Sequence, residues 1–232
     1  MRVMLALSMA LWLSAVGLAV TQQTTGVRQP GERFDFAVRA DFFAGFQGDK
    51  ARFDRAMTRC EEELAKNPDH AEALVWRGSG LMTLAANAFQ GGDFAKGMEL
   101  WQRSVADMNR AVSLAPDDVA VRIPRGATLF EASRHAPPAQ GAPLLALALE
   151  DYEHTLRIQE KAGYFQTLSS HAKGELLFGL ADGWARAGDQ QKARDYFTRL
   201  TTSASGSGRL AYAQAWLAGK PPASPGTCTG CH

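Results

Sequence analysis

The chain has 232 residues, 46% hydrophobic and 21% charged, with 22 Gly and 10 Pro, a composition that excludes disordered, collagen-like and polytopic membrane classes. Its 25 basic and 24 acidic side chains leave a net charge of +1, so the concentrated positive field required by nucleic acids and other polyanions is missing. Three cysteines are too few for the disulfide framework of a small secreted scaffold, and their positions matter more than their number.

Met1 and Arg2 precede an apolar run from Val3 to Val20 that contains no charge. A positive start, an apolar stretch and a small-x-small site, Gly17-Leu18-Ala19, form the order of a secretory signal. Cleavage after Ala19 would assign residues 1–19 to a signal peptide and 20–35 to a polar linker. The same run is long enough to act instead as an uncleaved anchor. Either way the body is expected to be exported, to the periplasm or an equivalent compartment, and to meet a membrane only through that leader.

The body lacks the period-two alternation of strands, and apolar residues recur at helical spacing throughout, which predicts an all-α domain over 36–218. Phe53, Ala56, Met57, Cys60 and Leu64 lie on one helical face, ended by Asn67-Pro68, and Asp69 is expected to cap the next helix. That helix carries Leu74, Gly78, Leu81 and Met82 and breaks at Gly91-Gly92-Asp93; a second helix then runs to Ala115-Pro116. Pro68 recurs as Pro116 and Gly78 as Gly126, both 48 residues later, so one helix-turn-helix unit repeats.

These residues resemble the tetratricopeptide repeat family, whose helix pairs of about 34 residues place a small residue midway along the first helix, Gly-Asp near the turn, Ala then an aromatic on the second helix, and Pro at the end. The best match is the fourth unit, with Leu180, Ala181, Trp184, Gly188-Asp189, Ala193 and Phe197 in the family's order. Unit one offers Ala56, Cys60 and Pro68, unit two Gly78, Asp93-Phe94, Ala111 and Pro116, and unit three Gly126, Ala148 and Tyr152. The resemblance covers about residues 36–200 and implies a stack of antiparallel helix pairs, about four irregular units, that binds protein partners. The steps exceed the family's period by multiples of seven. Such insertions lengthen helices by whole turns while keeping the same face inward. Pro124 falls inside the first helix of unit three, where it should kink the helix or delay its start.

The stretch from His135 to Pro143 reads as a Pro- and Gly-rich loop with Pro143 in the first turn of the next helix. Thr201 to Gly208 reads as a polar linker. Arg209 to Ala218 reads as a capping helix with Leu210, Ala213 and Leu217 on one face. Residues 219–232 begin with a Pro-rich extended spacer and end Cys228-Thr229-Gly230-Cys231-His232.

Cys-x-x-Cys-His is the attachment motif of c-type haem and is similar to the motif that cytochromes c carry. Two thiols at this spacing reach the two vinyl groups on one porphyrin edge, and the next side chain then lies under the iron. The resemblance implies one covalent haem c on Cys228 and Cys231, with His232 as proximal iron ligand, attached outside the cytoplasmic membrane. The alternatives are a zinc site, for which two Cys and one His supply only three ligands, and a thiol pair, which lacks the usual strand-then-helix setting. The segment that wraps the haem in a usual cytochrome c domain does not follow His232 here. A distal ligand would come from the body, another subunit or solvent; the candidates are His70, His135, His154, His171, Met57, Met82, Met98 and Met108.

His135, as a loop residue, is expected to be exposed, and His70 to be solvated after a helix cap. Met57, Met82 and Met108 fall at core spacing. Cys60 reads as a buried inert thiol, and Trp76, Trp101, Trp184 and Trp216 as packing residues more than electron relays. Arg122, Arg125 and Arg134 form either a solvated basic face or a receptor for an acidic partner or haem propionates. No phosphate loop, His-Glu-x-x-His or Ser elbow is present, so an autonomous enzyme is not indicated, although a haem with a vacant sixth position would permit gas sensing or haem catalysis. The expected function is that of an exported monohaem cytochrome-like protein in electron transfer or scaffolding, with a redox protein or membrane complex as partner. The alternative is a non-haem interaction protein whose tail binds zinc or acts through thiols.

Overall fold

A computed structural model describes residues 33–220. Among them are ten α-helices and no strand. In chain order they are α1 (Phe34–Phe46), α2 (Lys50–Lys66), α3 (Ala71–Gln90), α4 (Phe94–Leu114), α5 (Val119–His135), α6 (Pro138–Lys161), α7 (Tyr164–Thr167), α8 (Ser170–Ala187), α9 (Gln190–Ser203) and α10 (Leu210–Leu217). Neighbours in sequence pack as pairs, α1 on α2, α3 on α4, α5 on α6 and α8 on α9, and α10 covers α9. The all-α stack of helix pairs expected from the periodicity is what the chain forms.

Side chains start most of these helices. Asp49, Asp93, Asp189 and Ser169 each accept a hydrogen bond from the backbone N–H three residues on, and Asp118 from Ala120, satisfying donors that have no helical partner. Gly188 ends α8 at φ 93°, a left-handed turn that favours glycine. At α3 the cap is one residue later than expected: His70, not Asp69, accepts from the Ala73 N–H through Nδ1 at 3.3 Å. Helix α3 begins at Ala71, which puts His70 at the capping position and frees Asp69 to pair with Arg110.

The pairs close tightly where the sequence places small residues. A Cβ on Gly78 would stand 2.6 Å from Met108 Cγ, and Ser104 of α4 donates its hydroxyl to the Gly78 carbonyl at 2.7 Å. Gly126 is the equivalent in α5, where a Cβ would meet Tyr152 at 3.0 Å. Tyr152 also lies against Gly179 of α8, so α6 is held between α5 and α8. At one end Phe42 stacks on Trp76 with ring centroids 5.3 Å apart; at the other Phe197 meets Trp216 at 4.7 Å. Each fully buried large side chain of this kind contributes about 1.5–3 kcal/mol.

Several expected boundaries move. Helix α1 starts at Phe34, which is buried, two residues before the expected start of the domain. Pro124 does not delay α5: the helix starts at Val119 and carries the buried proline in its second turn, at the cost of one backbone bond. Between α5 and α6 the loop is only Ala136-Pro137. Helix α6 starts at Pro138, where the missing N–H costs nothing, and Pro143 lies inside it. His135 is therefore the last residue of a helix, not a loop residue. Helix α9 runs through Thr201 to Ser203, so the linker before α10 begins at Ala204. The extra residues of unit three lengthen α6 to 24 residues and also add the short α7, set off by Gly163 at φ 74°.

Candidate functional site

Cys228, Cys231 and His232 lie outside the described residues, as does the leader. The described chain ends at Lys220, just past α10. There Gly219 adopts φ 74° and donates to the Trp216 carbonyl, while the Lys220 N–H reaches the Ala215 carbonyl, closing the helix with a left-handed turn. Trp216 also carries the Arg194 guanidinium over its ring at 5.6 Å. Since Arg194 is in the second turn of α9, the tail departs from the end of the α8–α9 pair where Gly188 and Asp189 make the turn.

The candidate iron ligands of the body are scattered. His70 caps α3 and packs its ring on Phe34. The His154 Nε2 lies 2.7 Å from an Asp117 carboxylate. His135 is largely exposed and bonded to Glu131 at 3.1 Å, and His171 is exposed on α8. Met82 and Met108 are buried in the core and Met57 partly so, as expected, while Met98 is half exposed. Among the described residues no three His, Cys, Asp or Glu side chains gather as a metal site, and no helix is long and apolar enough to cross a membrane. Cys60 is fully buried, and burial pushes its thiol far above the usual range.

The arginines do not form a basic face. Arg122 and Arg125 are buried and converge on the buried Asp151 of α6: Arg125 donates to both carboxylate oxygens at 2.6 and 2.8 Å, and Arg122 to one at 2.8 Å. Burial raises the Asp151 carboxyl while the guanidinium hydrogen bonds pull it down. Arg125 also reaches Asn109 of α4 at 3.0 Å, tying the second pair to the third. Neither a solvated basic face nor a receptor for an acidic partner or propionates fits these two residues, because packing between α4, α5 and α6 removes them from solvent and from any outside partner. Arg134 is paired with Asp182 of α8 and is only partly accessible.

A groove of about 590 Å³ opens between the end of α5, the first half of α6 and the end of α8. Pro138, Leu145, Leu149 and Trp184 are its larger apolar lining, and Ser133, Glu150, Glu153 and Arg186 its polar lining. The volume is within the range of sites for small organic molecules. Trp184 is fixed in place: its Nε1 donates to Glu153, also in the lining, at 3.1 Å and Lys192 lies 3.6 Å from its ring centroid. Arg186 rests its guanidinium on the Phe130 ring at 5.1 Å and donates through Nη2 to Ser133 Oγ at 2.7 Å. Its Nη1 is buried without a hydrogen-bond partner. Burial and the neighbouring Arg134 both work against its charge, yet a guanidinium keeps its proton in proteins.

The sequence reading missed Arg186, which belongs to no motif. It also missed the fate of Arg122 and Arg125, although both share a helical face with Gly126 and Leu129, an inward register. No family model, curated protein or solved structure matches this chain.

Proposed function

We propose that this chain is an exported monohaem c-type cytochrome-like protein whose tetratricopeptide-like helical stack presents one haem for electron transfer or for assembly with a redox protein or membrane complex. The observation that carries the reading is Cys228-x-x-Cys231-His232 behind a Pro-rich spacer, in a chain that opens with an export-type leader. The donor set suits the group: two thiols for covalent attachment and an imidazole for the iron. In the body, the orphaned Nη1 of Arg186 matches the carboxylate edge of a porphyrin. When bound, the haem supplies one-electron exchange between ferrous and ferric iron. Cys228 and Cys231 hold it against dissociation, His232 sets the proximal side, and α10 fixes where its tether starts.

The test is a haem stain and intact mass on protein exported in a host with cytochrome c maturation machinery. The expected mass is that of the chain, with or without its leader, plus one haem that survives denaturation. Replacing Cys228 and Cys231 with Ala is expected to remove that added mass and leave the helical signal unchanged. A haem-free chain carrying stoichiometric zinc would instead establish a zinc-bearing interaction protein.

A further inference from the structure

We infer that the groove between α5, α6 and α8 docks the haem carried on this chain's own tail, with Arg186 receiving a propionate; the inference rests on the proposed haem attachment and names where that haem sits.

The argument starts from an unmet donor. A buried guanidinium N–H without an acceptor is costly, and Arg186, which helps to line the groove, has one. Its neighbours do not meet the need. Asp182 and Glu131, the carboxylates whose fields reach Arg186, are both taken by Arg134, and among the described residues none lies within ion-pair distance of Arg186. The carboxylates of the lining are engaged elsewhere, Glu153 by Trp184 and Lys192 and Glu150 by Arg122 at 3.5 Å. A ligand that completes this site has an anionic oxygen for Arg186 beside an apolar body, because the lining also holds Pro138, Leu145, Leu149 and Trp184, with Glu150 and Glu153 as its carboxylates. A porphyrin has that chemistry: a flat apolar macrocycle with two carboxylates on one edge.

The tether makes the chain's own haem the favoured occupant. Arg186 is in the last turn of α8, and Trp216, three residues before the tail begins, lies against Arg194 just across the same turn. From Lys220 to Cys228 the chain can span at most about 28 Å, more than two helix diameters. A tether of this length gives an effective concentration in the millimolar range, which a free carboxylate ligand would have to exceed.

The experiment uses the full chain with haem attached, verified by intact mass, and reads circular dichroism in the Soret band. A haem held in one chiral site is expected to give a strong signal, unchanged in amplitude per haem on hundredfold dilution. Arg186→Gln removes the cation, and Ala146→Trp fills the groove from an exposed position of α6. Each is expected to reduce the Soret signal at least about fivefold, with helical signal and melting temperature retained, whereas Arg186→Lys should keep part of it. If the mass shows one haem and the Soret signal is the same in wild type and in both variants, the docking is wrong while the haem reading stands. A chain that gains no haem overturns both. A signal lost on dilution means that the groove of a second copy takes the haem, and a weak signal with Arg186-dependent binding of palmitate assigns the groove to a free carboxylate. Either result overturns docking of the chain's own haem.

Discussion

Arg125 grips the buried carboxylate of Asp151 with two hydrogen bonds, 2.6 and 2.8 Å long, between α5 and α6. Arg122 adds a third, so one anion supports two buried cations at the junction of three helices. Removing the anion leaves Arg125 without a carboxylate and Arg122 with only the half-exposed Glu150 at 3.5 Å. Asp151→Ala is therefore expected to destabilise the fold by about 3–5 kcal/mol, measured as a shift in urea midpoint at unchanged slope. A loss under about 1 kcal/mol would mean that the arginines escape to water.

Gly78 marks a close crossing of α3 on α4. A Cβ there needs the space of Met108 Cγ and presses on the Ser104 carbonyl at 3.0 Å. Gly78→Ala is expected to cost about 1–3 kcal/mol through overpacking, less in a Met108→Ala background, where the flexible side chain is gone. A double-mutant cycle on thermal unfolding measures this coupling, and strict additivity would show that Met108 does not define the contact.

Acid should weaken the junction of α1 with α2. Asp41 accepts hydrogen bonds from Arg55 and Arg52, and the Arg55 contact above all lowers its carboxyl from 3.8 to about 2. A carboxyl depressed in the folded state contributes stability above its unfolded pKa and loses it as pH falls through the folded one, so the window runs from about pH 4 to 2. The arginines are partly exposed, and screening brings the contribution to about 1 kcal/mol. Stability of wild type minus Asp41→Asn, followed by denaturant titration at each pH, should shrink across that window and stay flat above it.

Cys60 should be chemically silent while the fold holds. It is fully buried and its thiol is pushed up by desolvation, so the reactive thiolate is scarce. In a Cys228→Ala, Cys231→Ala variant it is the single thiol. An aromatic disulfide reagent is expected to modify it only at the rate at which denaturant opens the protein; fast labelling in native buffer would contradict its placement.

Much of the architecture is legible in the sequence because helix pairs are specified by local chemistry. Gly78 and Gly126 recur at one interval and both prove to be close-approach points. In the fourth unit, Leu180, Ala181, Ala193 and Phe197 are fully buried, with the Gly188-Asp189 turn between them. The outer end is partly legible: α10 forms and buries Ala213 of the expected face, with Leu217 against the core, but Tyr212 and Trp216, outside that face, add the aromatic contacts. Aromatic rings outreach leucines when a short helix must cover the gap between two others. Of the proposed site, only the proposed attachment motif is legible. The Cys and His spacing is local, whereas Arg186, Ser133 and Leu145 come from three helices and share no pattern along the chain.

The sequence by itself determined the all-α class, the helix pairing and most of the core, and it carries the one motif on which the haem proposal rests, since periodicity, caps and Cys-x-x-Cys-His all act within a few turns of one segment. Tertiary structure alone decided which charges are spent and which remain. Arg122, Arg125 and Arg186 are indistinguishable as arginines on helices, yet Asp151 on α6 meets the first two and leaves Arg186, on α8, with an open donor. A salt bridge needs a partner brought from elsewhere in the chain, and only the packing of one helix on another supplies or withholds it.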